Sequence, residues 1–222
     1  MEIKNKTEHD PVRDLHMSDA YMRWALLSAE EVIGKQGMSV VLRDAGLEKF
    51  IDNYPPENFD FGSDIRAAEY ADLCAGLLNF FGRAGKSMTL RIGRIGSRLA
   101  TEKQGAVFNV AAKATAKLMP VSAQIKLVIE SLQDGFNKLS KPIGENYQLS
   151  YEDRGDRWAY IAAGCPMCAG KQSSESICLT FNGILQQSLL WLTGKEFEVV
   201  EVECRAAGAP ACVWEISNTP KE

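Results

Sequence analysis

Histidine is nearly absent: among 222 residues only His9 and His16 occur, both in the polar N-terminal segment. A Ser-His or Cys-His catalytic pair in the body of the chain is therefore excluded unless that segment folds back over the core. A metal in the body must be held by sulfur and carboxylate. Long apolar runs are missing as well; none approaches the roughly 20 residues of a membrane-spanning helix, so no membrane insertion is expected. Nor is there an excess of one charge, since 25 Lys and Arg oppose 29 Asp and Glu for a net charge of −4. With both signs interspersed there is no electrostatic footprint for nucleic acid. No glycine fingerprint for a dinucleotide follows a strand. The first residues, Met1 to Lys6, are polar and unlike a signal peptide, so a cytoplasmic protein is expected.

Sulfur is what the chain has. Five of its six cysteines, Cys165, Cys168, Cys178, Cys204 and Cys212, fall in the last quarter. In a reducing compartment such a cluster points to a metal or redox site rather than to disulfides. Cys165-Pro166-Met167-Cys168 suits half of a zinc knuckle better than a thioredoxin-type pair, which needs a helix start in a parallel fold. The sixth, Cys74, lies on a helical pattern and reads as a small core residue.

Along the chain, residues 1–16 read as a mobile arm. A helix capped by Ser18 is expected to stop at Gly34, and a shorter one, Met38 to Ala45, to end at Gly46. Pro55-Pro56 makes a loop. A third helix capped by Ser63 runs to Phe81, and a fourth from Ser87 carries Gly93, Gly96 and Gly105 toward Pro120. Glycines inside a helix mark close approach of another helix or of a ligand, and helix packing is the reading preferred here. Gly85-Lys86-Ser87 lacks the earlier glycine of a phosphate-binding loop, and Arg91, Arg94 and Arg98 read as a solvated face. A fifth helix covers Val121 to Leu139. Beyond it the period changes to two: Tyr147, Leu149 and Tyr151 alternate, residues 153–156 turn, and Trp158, Tyr160 and Ala162 alternate again. A helix from about Ser174 to Thr193 and two strands, Phe197 to Cys204 and Ala211 to Ile216, complete a β-β-α-β-β half. The fold class is thus α+β, with a helical part over 17–142 and an antiparallel sheet over 143–218.

In the last two strands Cys204 shares a face with Val200 and Val202, and Cys212 with Trp214 and Ile216. The run from Val199 to Ile216, with Glu201, Cys204 and Cys212, resembles the terminal signature of the 4-vinyl reductase domain family. That family includes the sensor modules of phenol-responsive regulators. It resembles in fold the transport-particle subunits and the haem-NO-binding domains: a meander sheet packed by helices around a hydrophobic cavity. The resemblance implies a structural zinc held by Cys178, Glu201, Cys204 and Cys212. Glu201 and Cys204 are three apart, which in a regular strand puts them on opposite faces. Glu201 therefore qualifies only if the strand bulges; otherwise Cys165 or Cys168 is the fourth ligand.

The resemblance further implies a sensor or carrier for a hydrophobic or aromatic ligand. Trp158, Tyr160 and Phe181 are expected in the cavity wall. A homodimer is expected through the N-terminal helices, with Trp24, Leu26 and Leu27 at the contact, and a separate signalling partner. The alternative is a 4-vinyl reductase, or accessory protein, acting on tetrapyrroles in bacteriochlorophyll synthesis. The missing dinucleotide fingerprint argues against an enzyme.

Overall fold

Helical and alternating patterns occupy different halves of the sequence, and the computed structural model, which describes residues 2–103, 116–141 and 149–221, follows that division. Helix α1 (Asp19–Asp44) starts after Ser18, and the amides of Asp19 and Ala20 are satisfied by the carbonyls of Asp60 and Asn58, each at 2.9 Å. Gly34 interrupts it with φ 71°, a left-handed conformation that glycine adopts without steric cost. The two expected helices therefore run into one another across a kink. Helix α2 (Ala67–Phe81) begins later than expected. Arg66, not Ser63, holds the cap position, because the Glu69 carboxylate accepts the Arg66 amide at 3.0 Å while the Ser63 amide is taken by Asp19 Oδ1 at 3.1 Å. Helices α3 (Gly85–Lys103) and α4 (Val121–Leu139) follow, α4 directly after Pro120. The expected continuation through Gly105, and the strand position of Tyr147, lie outside the described residues.

Strands β5 (Leu149–Asp153), β6 (Arg157–Ala162), β8 (Phe197–Glu203) and β9 (Cys212–Pro220) form one antiparallel sheet, with helix α5 (Leu179–Thr193) between its halves. The strand order is β5-β6-β9-β8, so the sheet departs from a meander. The long connection through α5 delivers β8 to the far edge, and the tight turn after Cys204 brings β9 back against β6. Gly194 ends α5 in a left-handed cap, φ 74°. Trp158 packs under α4 and donates to Ser122 Oγ at 3.0 Å. Tyr160 and Trp214 meet Phe181 of α5, with ring centroids 5.1 and 4.6 Å away. One buried core runs from Val12 to Ile216 and unites both halves.

The N-terminal segment is packed, contrary to the expectation of a mobile arm. β1 (Lys4–Asn5) pairs with β7 (Lys171–Gln172), and β2 (His16–Met17) lies between β3 (Ile65–Arg66) and β4 (Ser140–Lys141). Asp10, 4% exposed, explains the anchoring: its carboxylate accepts from Arg205 Nη2 at 2.9 Å, from the Gly170 amide at 2.9 Å and from the Val12 amide at 3.1 Å. Burial alone would raise its pKa, yet Arg205 and the two amides outweigh that and hold it below the ordinary value. Trp24 and Leu26 are buried inside the chain, so they are not available for the expected dimer contact.

Candidate metal centre and ligand cavity

All five C-terminal cysteines are buried, and they are delivered by irregular pieces of backbone at turns, caps and strand ends. Cys165 caps and Cys168 ends a single 3-10 turn, Pro166–Cys168. Cys178 occupies the cap position before α5 rather than its first turn. Cys204 follows β8, Cys212 opens β9, and the Arg205 amide donates to Cys212 Sγ at 3.4 Å. Sulfur separations are 3.6 Å for Cys165–Cys178, 3.5 Å for Cys168–Cys212, 3.8 Å for Cys178–Cys204 and 3.7 Å for Cys178–Cys212. A tetrahedron of sulfurs about 2.3 Å from zinc has edges of about 3.8 Å, so the donors stand at mononuclear-site spacing.

Glu201 joins them because β8 bulges. Glu201 pairs with Trp214 and Glu203 with Val213, leaving Val202 as the extra residue. The bulge reverses the phase of the strand: Phe197, Val199 and Glu201 face inward, whereas Val200 and Val202, expected on the face of Cys204, are 45% exposed. Beyond the bulge Cys204 turns inward again. Glu201 Oε2 accepts the Cys178 amide at 2.9 Å, while Oε1 is buried without a hydrogen-bond partner. Without a cation, burial and then the Cys204 thiol push its carboxyl up to about 9. Burial likewise pushes Cys165 up to about 11. A divalent cation would reverse both shifts and satisfy the orphaned oxygen.

Two four-donor sets are complete, Cys178, Glu201, Cys204 and Cys212, and Cys165, Cys168, Cys178 and Cys212, with the donor atoms of each set within 4.8 Å of one another. Neither histidine takes part. His9 pairs with Asp14, and His16 with Asp64 and Arg66. Cys74, raised to about 12 by burial, stays outside both sets as a core residue.

A cavity of about 110 Å³ lies between α1, α2, α3, α4 and α5. Aromatic and small residues line it, among them Tyr21, Trp24, Tyr70, Phe136 and Phe181, with Gly93 and Gly96 on α3. Gly93 serves helix packing, since a Cβ there would overlap the Thr180 carbonyl oxygen; Gly183 across the contact would likewise overlap that of Leu90. Gly96 also serves close packing, since a Cβ there would stand only 3.1 Å from Ser28 Oγ of α1. The Tyr21 hydroxyl is buried without a partner in hydrogen-bonding geometry, although Tyr70 lies close by. Burial pushes the phenols of Tyr21 and Tyr70 far up, so both are neutral donors. Of the expected lining residues only Phe181 belongs to this cavity. Tyr160 contacts a separate narrow space of about 10 Å³ beside Cys165, and Trp158 lines neither.

Comparison with known proteins matches residues 158–218 to the 4-vinyl reductase domain. The matched segment spans 61 of the 222 residues. It contains Cys165, Cys168, Cys178, Glu201, Cys204 and Cys212, the whole candidate metal centre. No curated protein matches the sequence. Over nearly the whole chain the fold is similar to H-NOX domains. An H-NOX protein solved to probe haem distortion shares 13% identity, covers 93% of this chain and 97% of its own, and has a TM-score of 0.57. An oxygen-binding H-NOX domain related to soluble guanylate cyclases gives 13%, 90%, 93% and 0.56, and an H-NOX protein from S. oneidensis 11%, 90%, 99% and 0.53.

Haem does not fit the described residues here. The cavity lining carries no His, Cys or Met, the usual axial ligands. Its two tyrosines are held protonated by burial. Among the described residues no helix is long and apolar enough to cross a membrane.

Proposed function

We propose that the chain is a ligand-binding sensor or carrier module that encloses a small aromatic molecule and is stapled by a structural zinc. The observation that carries this reading is the apolar cavity whose wall, α5, starts at a metal-type donor. Cys178 begins the helix, and Thr180, Phe181, Ile184 and Ser188 of the same helix line the cavity. Cys178, Glu201, Cys204 and Cys212 would hold the zinc. Such an ion is fully ligated by protein and supplies rigidity rather than an activated water.

The chain's own residues then do the binding. An apolar cavity of about 150 Å³ takes a benzene-sized molecule, so 110 Å³ suits a single ring at most. The buried Tyr21 hydroxyl favours a ring bearing one hydrogen-bonding group, such as a phenol. Occupation presses on Phe181, which touches Tyr160 and Trp214 and so passes the event from helices to sheet. A separate partner would read that shift. The volume argues against the tetrapyrrole reductase reading, because even drug-sized ligands use sites of about 300 Å³ or more.

Native mass spectrometry of the purified protein, paired with phenol titration followed by intrinsic tryptophan fluorescence, tests the proposal. Retained zinc and saturable quenching are expected. Absence of zinc, or conversion of a divinyl chlorophyllide on incubation with a reductant, would overturn it.

A further inference from the structure

The zinc assigned above leaves two cysteines unused. Cys165 and Cys168 are 1% and 0% exposed, and their sulfurs stand 3.6 Å from Cys178 and 3.5 Å from Cys212. Cys178 and Cys212 are themselves 3.7 Å apart and belong to both four-donor sets. The remaining donors separate cleanly: Cys204 and Glu201 complete one set, Cys165 and Cys168 the other. A thiolate has several lone pairs and can bridge two soft cations, so sharing two sulfurs lets each ion keep four ligands.

We propose that this domain holds two divalent ions, the second bound by Cys165 and Cys168 and joined to the first through bridging thiolates of Cys178 and Cys212. The inference rests on the zinc of the proposed function and adds a second site beside it. Charge supports the arrangement. Two divalent ions do not fully neutralise five thiolates and a carboxylate, and Arg205 stands beside this end of the cluster. Its amide donates to Cys212 Sγ, its Nη2 is held by Asp10, and its Nη1 is buried with no hydrogen-bond partner. Within each set the donors lie within 4.8 Å of one another, the spacing of a single ion.

Metal stoichiometry of the full chain, expressed with zinc and measured by native mass spectrometry and elemental analysis, tests the proposal. Two ions per chain are expected, falling to one in C165S/C168S and to one in E201Q/C204S. A wild type that saturates at one ion, retained in C165S/C168S, overturns the second site and leaves the first standing. One ion lost from C165S/C168S but retained in E201Q/C204S overturns both, as does a wild type without metal. Cobalt(II) titration of the wild-type chain avoids reliance on the folding of variants. Two equivalents should bind, the second weakening the paramagnetic signal of the first by coupling through shared sulfur; saturation at one equivalent overturns the pair.

Discussion

The sulfur cluster and the cavity share helix α5, yet they are encoded in opposite ways. The cluster is made by side chains of distinctive chemistry, brought together at strand ends and caps. The cavity is made by small residues that leave volume free and by aromatics from helices far apart in sequence. A site built from special residues tolerates almost no substitution. A site built from missing volume tolerates changes that leave its shape alone.

The sharpest way to break the comparison is to disable the residue nearest both sites. Cys178→Ser removes a donor common to both sets and should cost about 4 kcal/mol of thermal or urea stability in zinc-containing buffer, the stabilisation given by a ligand at 1,000 times its Kd. In chelator the loss relative to wild type should nearly vanish. Gly93→Ala should cost about 3 kcal/mol, because its methyl meets the backbone of α5 rather than a movable side chain; urea melts with and without metal should show the same loss. Gly96→Ala brings its methyl against the Ser28 side chain rather than backbone, so it should lower the melting temperature less than Gly93→Ala and weaken phenol binding about tenfold, about 1.4 kcal/mol, read by calorimetry. Trp158→Phe, outside the cavity, should not affect phenol binding.

A further effect concerns pH. In metal-free protein the Glu201 carboxyl is raised to about 9 from an ordinary 4.5. A raised folded-state value contributes stability below the ordinary value that is lost as pH rises toward 9. Metal-free wild type should therefore lose melting temperature between pH 5 and pH 8 relative to Glu201→Gln, and added zinc should reverse the order.

Much of this is legible in the residues. Cysteine spacing and the shortage of histidine point to a sulfur-carboxylate centre, and the three-residue step from Glu201 to Cys204 puts both on one side only if the strand bulges, as β8 does. Strand phase comes out reversed at Val200 and Val202 because alternation cannot be carried back through that bulge. The cavity is harder to see. Gly93 and Gly96 stand out, but only tertiary packing decides that one meets α5 and the other α1. Trp158 reads as lining because an inward aromatic on a strand faces either a ligand or a helix, and α4 lies over it. The packed N-terminal segment leaves no local trace, since Asp10 and Arg205 are partners across nearly the whole chain.

That last ion pair gives the first ten residues a protective duty. By fastening Arg205 and the Gly170 amide, Asp10 draws its segment across the loop that carries Cys165 and Cys168. Trimming the chain past residue 10, or fusing a bulky tag close to it, would admit solvent and oxidant to thiols that are otherwise sealed.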